Sequence, residues 1–193
     1  ISGSTKFYQG DGVSGIYIWG AQLEALPYAT SYIPTNGTTV TRAAEVCDGA
    51  GDVTTFNSAE GVLYAELSSF SGDESYRYLG LTDGSDSNRI IILYYSNNNR
   101  IRILLSSGGT KYFDDYYQVA STVDFHKIAF KWKVNDFALW VDGVERLADT
   151  SGLTPVGLNN LGFNQAGANY FYGKSKQLQV FKTALTDAEL QTL

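Results

Sequence analysis

Among 193 residues the sequence holds no methionine, one cysteine, one histidine and three prolines, and each scarcity excludes something. Cys47 has no second cysteine to bridge, so no internal disulfide staples the chain. A tetrahedral zinc site draws on several Cys and His ligands, and Cys47 with His126 is the whole supply. A Ser-His-acid triad would have to use His126, which sits inside the strand-like run 124–133, and no Gly-x-Ser-x-Gly elbow partners it. We read His126 as a strand-start residue bonding a neighbouring loop, and Cys47 as a small strand or loop residue. Gly10-Asp-Gly12 and the run 48–52 lack the lysine or the strand-to-helix setting of a phosphate loop and read as turns. Basic charge is short too: 14 Lys and Arg face 20 Asp and Glu, net −6, which argues against a nucleic-acid surface. No apolar run approaches the roughly 18 residues of a membrane helix, so membrane insertion is not expected. The missing initiator leads us to expect that Ile1 follows a cut and that the chain is a fragment of something longer.

What is present is hydrophobic residues at 44%, 14 Tyr and 20 Gly, enough for a core punctuated by turns. From about residue 61 short β-branched or aromatic runs alternate with Gly, Ser, Asn and Asp: 62–67, 76–81, 90–95, 100–105 and 111–119. The Ser96–Asn99 segment between two of them reads as a hairpin tip, because Asn tolerates left-handed backbone. In the next pair Ile128, Phe130, Trp132 and Val134 alternate with Lys127, Ala129, Lys131 and Lys133, predicting one buried and one solvated side. Phe137, Leu139 and Val141 then take the core side, with Ala138 and Trp140 opposite, and Asp142-Gly143 marks a tight turn into 144–147. Strands at this spacing predict an all-β antiparallel sandwich. Only the end reads as helix, where Thr186-Asp-Ala-Glu189 fits a capping box and Leu185, Leu190 and Leu193 would pin the turn to the sandwich. The first forty residues differ: 15–20 is strand-like, and 26–37 is an extended segment fixed by Pro27 and Pro34.

Two stretches carry family resemblances. Ile18-Trp-Gly-Ala-Gln-Leu-Glu24, Ala29–Thr35 and Val40-Thr-Arg42 resemble a segment of phage tail and prophage proteins that closes one β-sandwich and leads into the next. Phe125-His126, Trp132, Leu139–Gly143 and the ending Leu178–Leu190 resemble a concanavalin A-like lectin/glucanase domain of the laminin-G type. The resemblances imply a jelly roll over 41–193, with 1–40 as the end of a preceding sandwich and a linker. Laminarinase-like members carry a Glu-x-Asp-x-x-Glu strand, and lyase-like members an Arg-Glu-Leu-Arg strand with a Gln-x-His motif. None of these is found here, so we expect a binding module rather than an enzyme.

Sugars are held by stacking on aromatic rings, with Asn, Asp and Arg fixing hydroxyls. Strand parity nominates Trp140, with burial under a loop or a subunit contact as its alternative. One of Tyr94 and Tyr95 must face away from the core, beside Asn97, and Asp114 with Tyr116 forms a further polar-aromatic cluster. Arg102 shares a side with Arg100, suited to a carboxylated sugar or an intersubunit ion pair. The Asp-rich turn 82–88 offers Asp83, Asp86 and Asn88 as candidate calcium ligands, although it lacks the closing Glu of an EF-hand. The expectation is a lectin-like module of a tail fibre or spike in the virion, homotrimeric, attaching to bacterial surface polysaccharide. A structural or trimerising spacer and a depolymerase remain as alternatives.

Overall fold

The computed structural model describes residues 10–24, 29–42, 50–70, 76–95, 98–165 and 169–193. The chain divides into two units, Ile1–Glu45 and Val46–Leu193.

In the first unit no described residue belongs to a strand or helix, and the backbone turns between Thr35 and Thr38. The expected strand at 15–20 does not form, and Ile16, Tyr17, Ile18 and Trp19 are at least 79% exposed. A strand exists only against a ladder partner, and no described residue supplies one here. Local side chains order the segment instead. Gln22 accepts from the Ile33 amide at 2.8 Å, Arg42 reaches Ser31, and Trp19 meets Tyr32 edge-on at 5.6 Å.

The second unit is a sandwich of two five-stranded antiparallel sheets. Its strands are β1 (Glu60–Ser69), β2 (Tyr76–Thr82), β3 (Arg89–Tyr95), β4 (Arg100–Ser107), β5 (Thr110–Gln118), β6 (His126–Lys133), β7 (Asp136–Val141), β8 (Val144–Asp149), β9 (Asn160–Gly162) and β10 (Gly173–Phe181), followed by helix α1 (Asp187–Leu190). The orders are β10-β1-β6-β7-β8 and β5-β4-β3-β2-β9. Among the described residues no helix is long and apolar enough to cross a membrane.

Alternation sets the core. Leu63, Ala65 and Leu67 of β1, Ile128, Phe130 and Trp132 of β6 and Phe137, Leu139 and Val141 of β7 meet Leu79 and Leu81 of β2, Ile90 and Ile92 of β3 and Ile101, Ile103 and Leu105 of β4. Trp132 buries its ring and donates Nε1–H to the Asn57 carbonyl at 3.2 Å. Val134 falls past the end of β6 and is 47% exposed, so it does not join the core expected for it.

The solvated opposite side expected on β6 holds at Lys127 and Lys133 and is corrected between them. Val62, Tyr64, Ala129, Ala138 and Trp140 lie there under Leu190, with Phe181, Leu185 and Leu193 packed around them. Lys131 is itself 8% exposed and reaches Asp136 at 2.7 Å. The C-terminal segment does the covering. Thr186 and Glu189 cap α1 reciprocally, as the sequence predicts.

Candidate functional site

The outer side of the β5-β4-β3-β2-β9 sheet has no such cover among the described residues. Register aligns its outward side chains in rows. Gln118, Arg100, Tyr95 and Tyr76 form the first, and Tyr116, Arg102, Leu93 and Tyr78 the second. Asp114, Leu104, Ile91, Gly80 and Gly162 form the third, and Lys111, Ser106, Arg89, Thr82 and Asn160 the fourth. Ile91, Leu93 and Leu104 make a buried apolar floor against which Tyr78 and Tyr95 pack. Above it Tyr76 is 48% and Tyr116 46% exposed.

One ion-paired knot organises the middle of this surface. Arg102 donates from Nε and Nη2 to the Asp114 carboxylate at 2.5 and 2.7 Å and from Nη1 to the Tyr95 hydroxyl at 3.0 Å. Lys111 adds a further bond to Asp114 at 2.9 Å. Partial burial pushes the Asp114 carboxyl upward, but the hydrogen bonds from Lys111 and Arg102 and their two charges outweigh it and hold the group below its ordinary value. Tyr95 is further fixed by an edge-on contact with Tyr76 at 4.8 Å, and Arg100 stacks over the Tyr116 ring at 4.1 Å.

Tyr95, Arg102, Asp114 and Tyr116, four of the residues nominated by the sequence, are thus neighbours. Tyr94 is not among them: it points into the core with no exposed surface, and its hydroxyl donates to the Leu67 carbonyl at 3.1 Å. Trp140 is 8% exposed beneath the C-terminal segment and offers no ring surface to a sugar. Asn97 lies outside the described residues, as does Cys47.

The turn after β2 is built from its own polar groups. Asp83 accepts from the Ser85 amide and hydroxyl and from the Asn88 side chain. Asp86 pairs with Arg89, and the Asn88 side-chain Oδ1 accepts from the Gly108 and Val156 amides. Asp83, Asp86 and Asn88 therefore serve as turn braces, and among the described residues no three His, Cys, Asp or Glu side chains converge as a metal site. His126 bonds its loop as expected, with Nε2 on the Ser121 carbonyl at 2.9 Å and Nδ1 on Asp142 at 2.7 Å.

Sequence reasoning missed Tyr76, Tyr78 and Arg89. Period-2 parity from the β3 and β4 patterns would have put all three on this side, had the β2–β3 pairing been drawn. It also missed a cleft of about 200 Å³ at the β9 end, lined by Gly80, Thr82, Asp86, Arg89, Asn160 and Asn164 among others.

Residues 63–191 match the family described as the concanavalin A-like lectin/glucanases superfamily. No curated protein matches the sequence. Among solved structures, the CBM40 of the Ruminococcus gnavus IT-sialidase superposes with TM-score 0.60 at 17% identity, covering 79% of this chain and 96% of that one. The same module bound to alpha2,3 sialyllactose gives 0.60 at 18% identity over 77% and 94%. A heptameric SAP-like pentraxin from Limulus polyphemus gives 0.57 at 12% identity over 76% and 74%. At these identities the likeness is one of fold.

Proposed function

The chain belongs to the concanavalin A-like lectin/glucanases superfamily, and from that premise we propose that it is a non-enzymatic carbohydrate-binding module whose sugar face is the outer side of the β5-β4-β3-β2-β9 sheet. The observation that carries this reading is the contrast between the two outer sides. One is sealed by the chain's own C-terminal segment, while the other leaves Tyr76, Tyr78, Tyr95 and Tyr116 in register with Arg102 and Asp114. Tyrosine rings offer stacking surface to sugar C–H groups, and the fixed guanidinium and carboxylate can orient hydroxyls. One carbohydrate-binding module of similar fold, the Ruminococcus gnavus CBM40, is solved with alpha2,3 and with alpha2,6 sialyllactose bound. A binding role also suits Asp114, since a carboxyl held low by two cations is a poor proton donor.

In its finer form the proposal places the module in a phage tail fibre or spike of the virion, trimeric and attaching to bacterial surface polysaccharide. That setting rests on the likeness of Ile18–Arg42 to tail-protein segments, and several copies would compensate for a weak single site. The exposed apolar run Ile16–Trp19 favours a second, assembly role for the first unit. Glycan-array screening followed by titration calorimetry tests the sugar face. Tyr95→Ala is expected to weaken binding of the selected glycan by about tenfold, ~1.4 kcal/mol. Undiminished affinity in that variant, or no glycan bound by the native chain, would overturn the reading.

A further inference from the structure

The cleft at the β9 end of this face has its own chemistry. Thr82, Ser85, Asn160, Asn164 and Gln165 bring hydroxyls and amides to its walls, Gly80 and Gly162 leave its floor bare, and among the described residues neither an aromatic nor an aliphatic side chain lines it. Arg89 is its one cation, with a side chain 13% exposed. Of the three arginines in the rows of this face, Arg102 and Arg89 differ most in what they have left to offer. Arg102 spends all three guanidinium nitrogens on Asp114 and Tyr95. Among the described residues Arg89 bonds only through Nη1, to Asp86, and its Nε is buried without a partner. Nη2 bonds no described residue and is not among the buried atoms, so it is the donor open to a ligand oxygen. Asp86 is a loose partner, its side chain 67% exposed, and such surface pairs are weak enough for an incoming anion to compete with.

We propose that this cleft is a carboxylate pocket and that the ligand is an acidic glycan, its carboxylate on Arg89 and its neighbouring sugar units lying across the tyrosines. Resting on the sugar-face reading above, the inference moves the anion-binding role from Arg102, where the sequence put it, to Arg89. The two sit four residues apart along β3 and β4, about 14 Å at the ~3.4 Å rise of a strand, so the ligand spans several units. Guanidinium and carboxylate match as planar forks, and a cation already beside Asp86 suits a singly charged carboxylate better than a doubly charged phosphate monoester.

The test is calorimetric titration of the full chain with 3′-sialyllactose and trigalacturonate, each beside its carboxyl methyl ester. The native chain is expected to prefer at least one free acid over its ester by about tenfold. Arg89→Gln should abolish that preference. Asn160→Asp, which sets a negative charge in the cleft without touching Arg89, should do the same and covers the case in which the arginine variant misfolds. Tyr95→Ala should weaken acid and ester together. Equal affinity of the native chain for acid and ester, or a preference that survives both cleft variants, overturns the carboxylate pocket and leaves the sugar face standing. Binding of neither form of either glycan overturns the pocket too, and the glycan array then decides the sugar face separately.

Discussion

At the scale of single residues the informative comparison is between neighbours of one strand. Tyr94 and Tyr95 are alike in the sequence, yet one is sealed in the core and the other is held at the surface by Arg102. Parity says that the two must differ but not which is which, because β3 reads as apolar on both sides: Ile91 and Leu93 are as buried as Ile90 and Ile92. Asp114 gives a pH signature. Its folded-state value lies below the ordinary 3.8, so its stabilising contribution is complete above that value. It is lost as the pH falls through the lower folded value. In urea unfolding, Asp114→Asn should therefore show a shallower loss of stability than the native chain on acidification below 3.8, and parallel curves would count against the knot.

At the scale of elements, turn chemistry was the most legible feature. Val141 pairs with Val144 across a two-residue loop, and Asp142 and Gly143 take φ of 54° and 72°, the left-handed pair that Asp-Gly suits. A methyl on Gly143 would also come within 2.8 Å of the Gln191 carbonyl oxygen. Gly143→Ala is expected to cost about 1–3 kcal/mol in denaturant unfolding. The capping box at Thr186 was equally plain, since its residues contact each other across three positions. Neither β9 nor β10 stood out. β9 is three residues long, and the exposed start of β10, Gly173–Gln177, is polar on both sides, opposite the bulge at Glu66/Leu67. Edge strands of this kind carry no period-2 hydrophobic signal, so their pairing comes from the tertiary fold.

At the scale of the whole sandwich, alternation reveals which residues share a side, whereas what lies over that side depends on contacts distant in sequence. Trp140 was expected to face away from the core, as was one of Tyr94 and Tyr95, and only the route of residues 181–193 separates Trp140 from Tyr95. Leu190 is the buried residue of that cover. Leu190→Ala should destabilise the chain by about 2–5 kcal/mol and shift tryptophan emission to the red as water reaches the Trp140 ring. Unchanged emission and stability would mean that the C-terminal segment does not seal this side.

The bare floor of the cleft bears on how such a module changes over generations. Gly80 and Gly162 oppose each other on β2 and β9, and a side-chain carbon at Gly80 would meet Ile91 Cδ1 at 2.9 Å and the Asn164 carbonyl oxygen at 3.3 Å. One nucleotide separates a glycine codon from an alanine codon. That single step would displace Ile91 or the Asn164 backbone, so the floor of the cleft stays at backbone depth only while glycine is kept there.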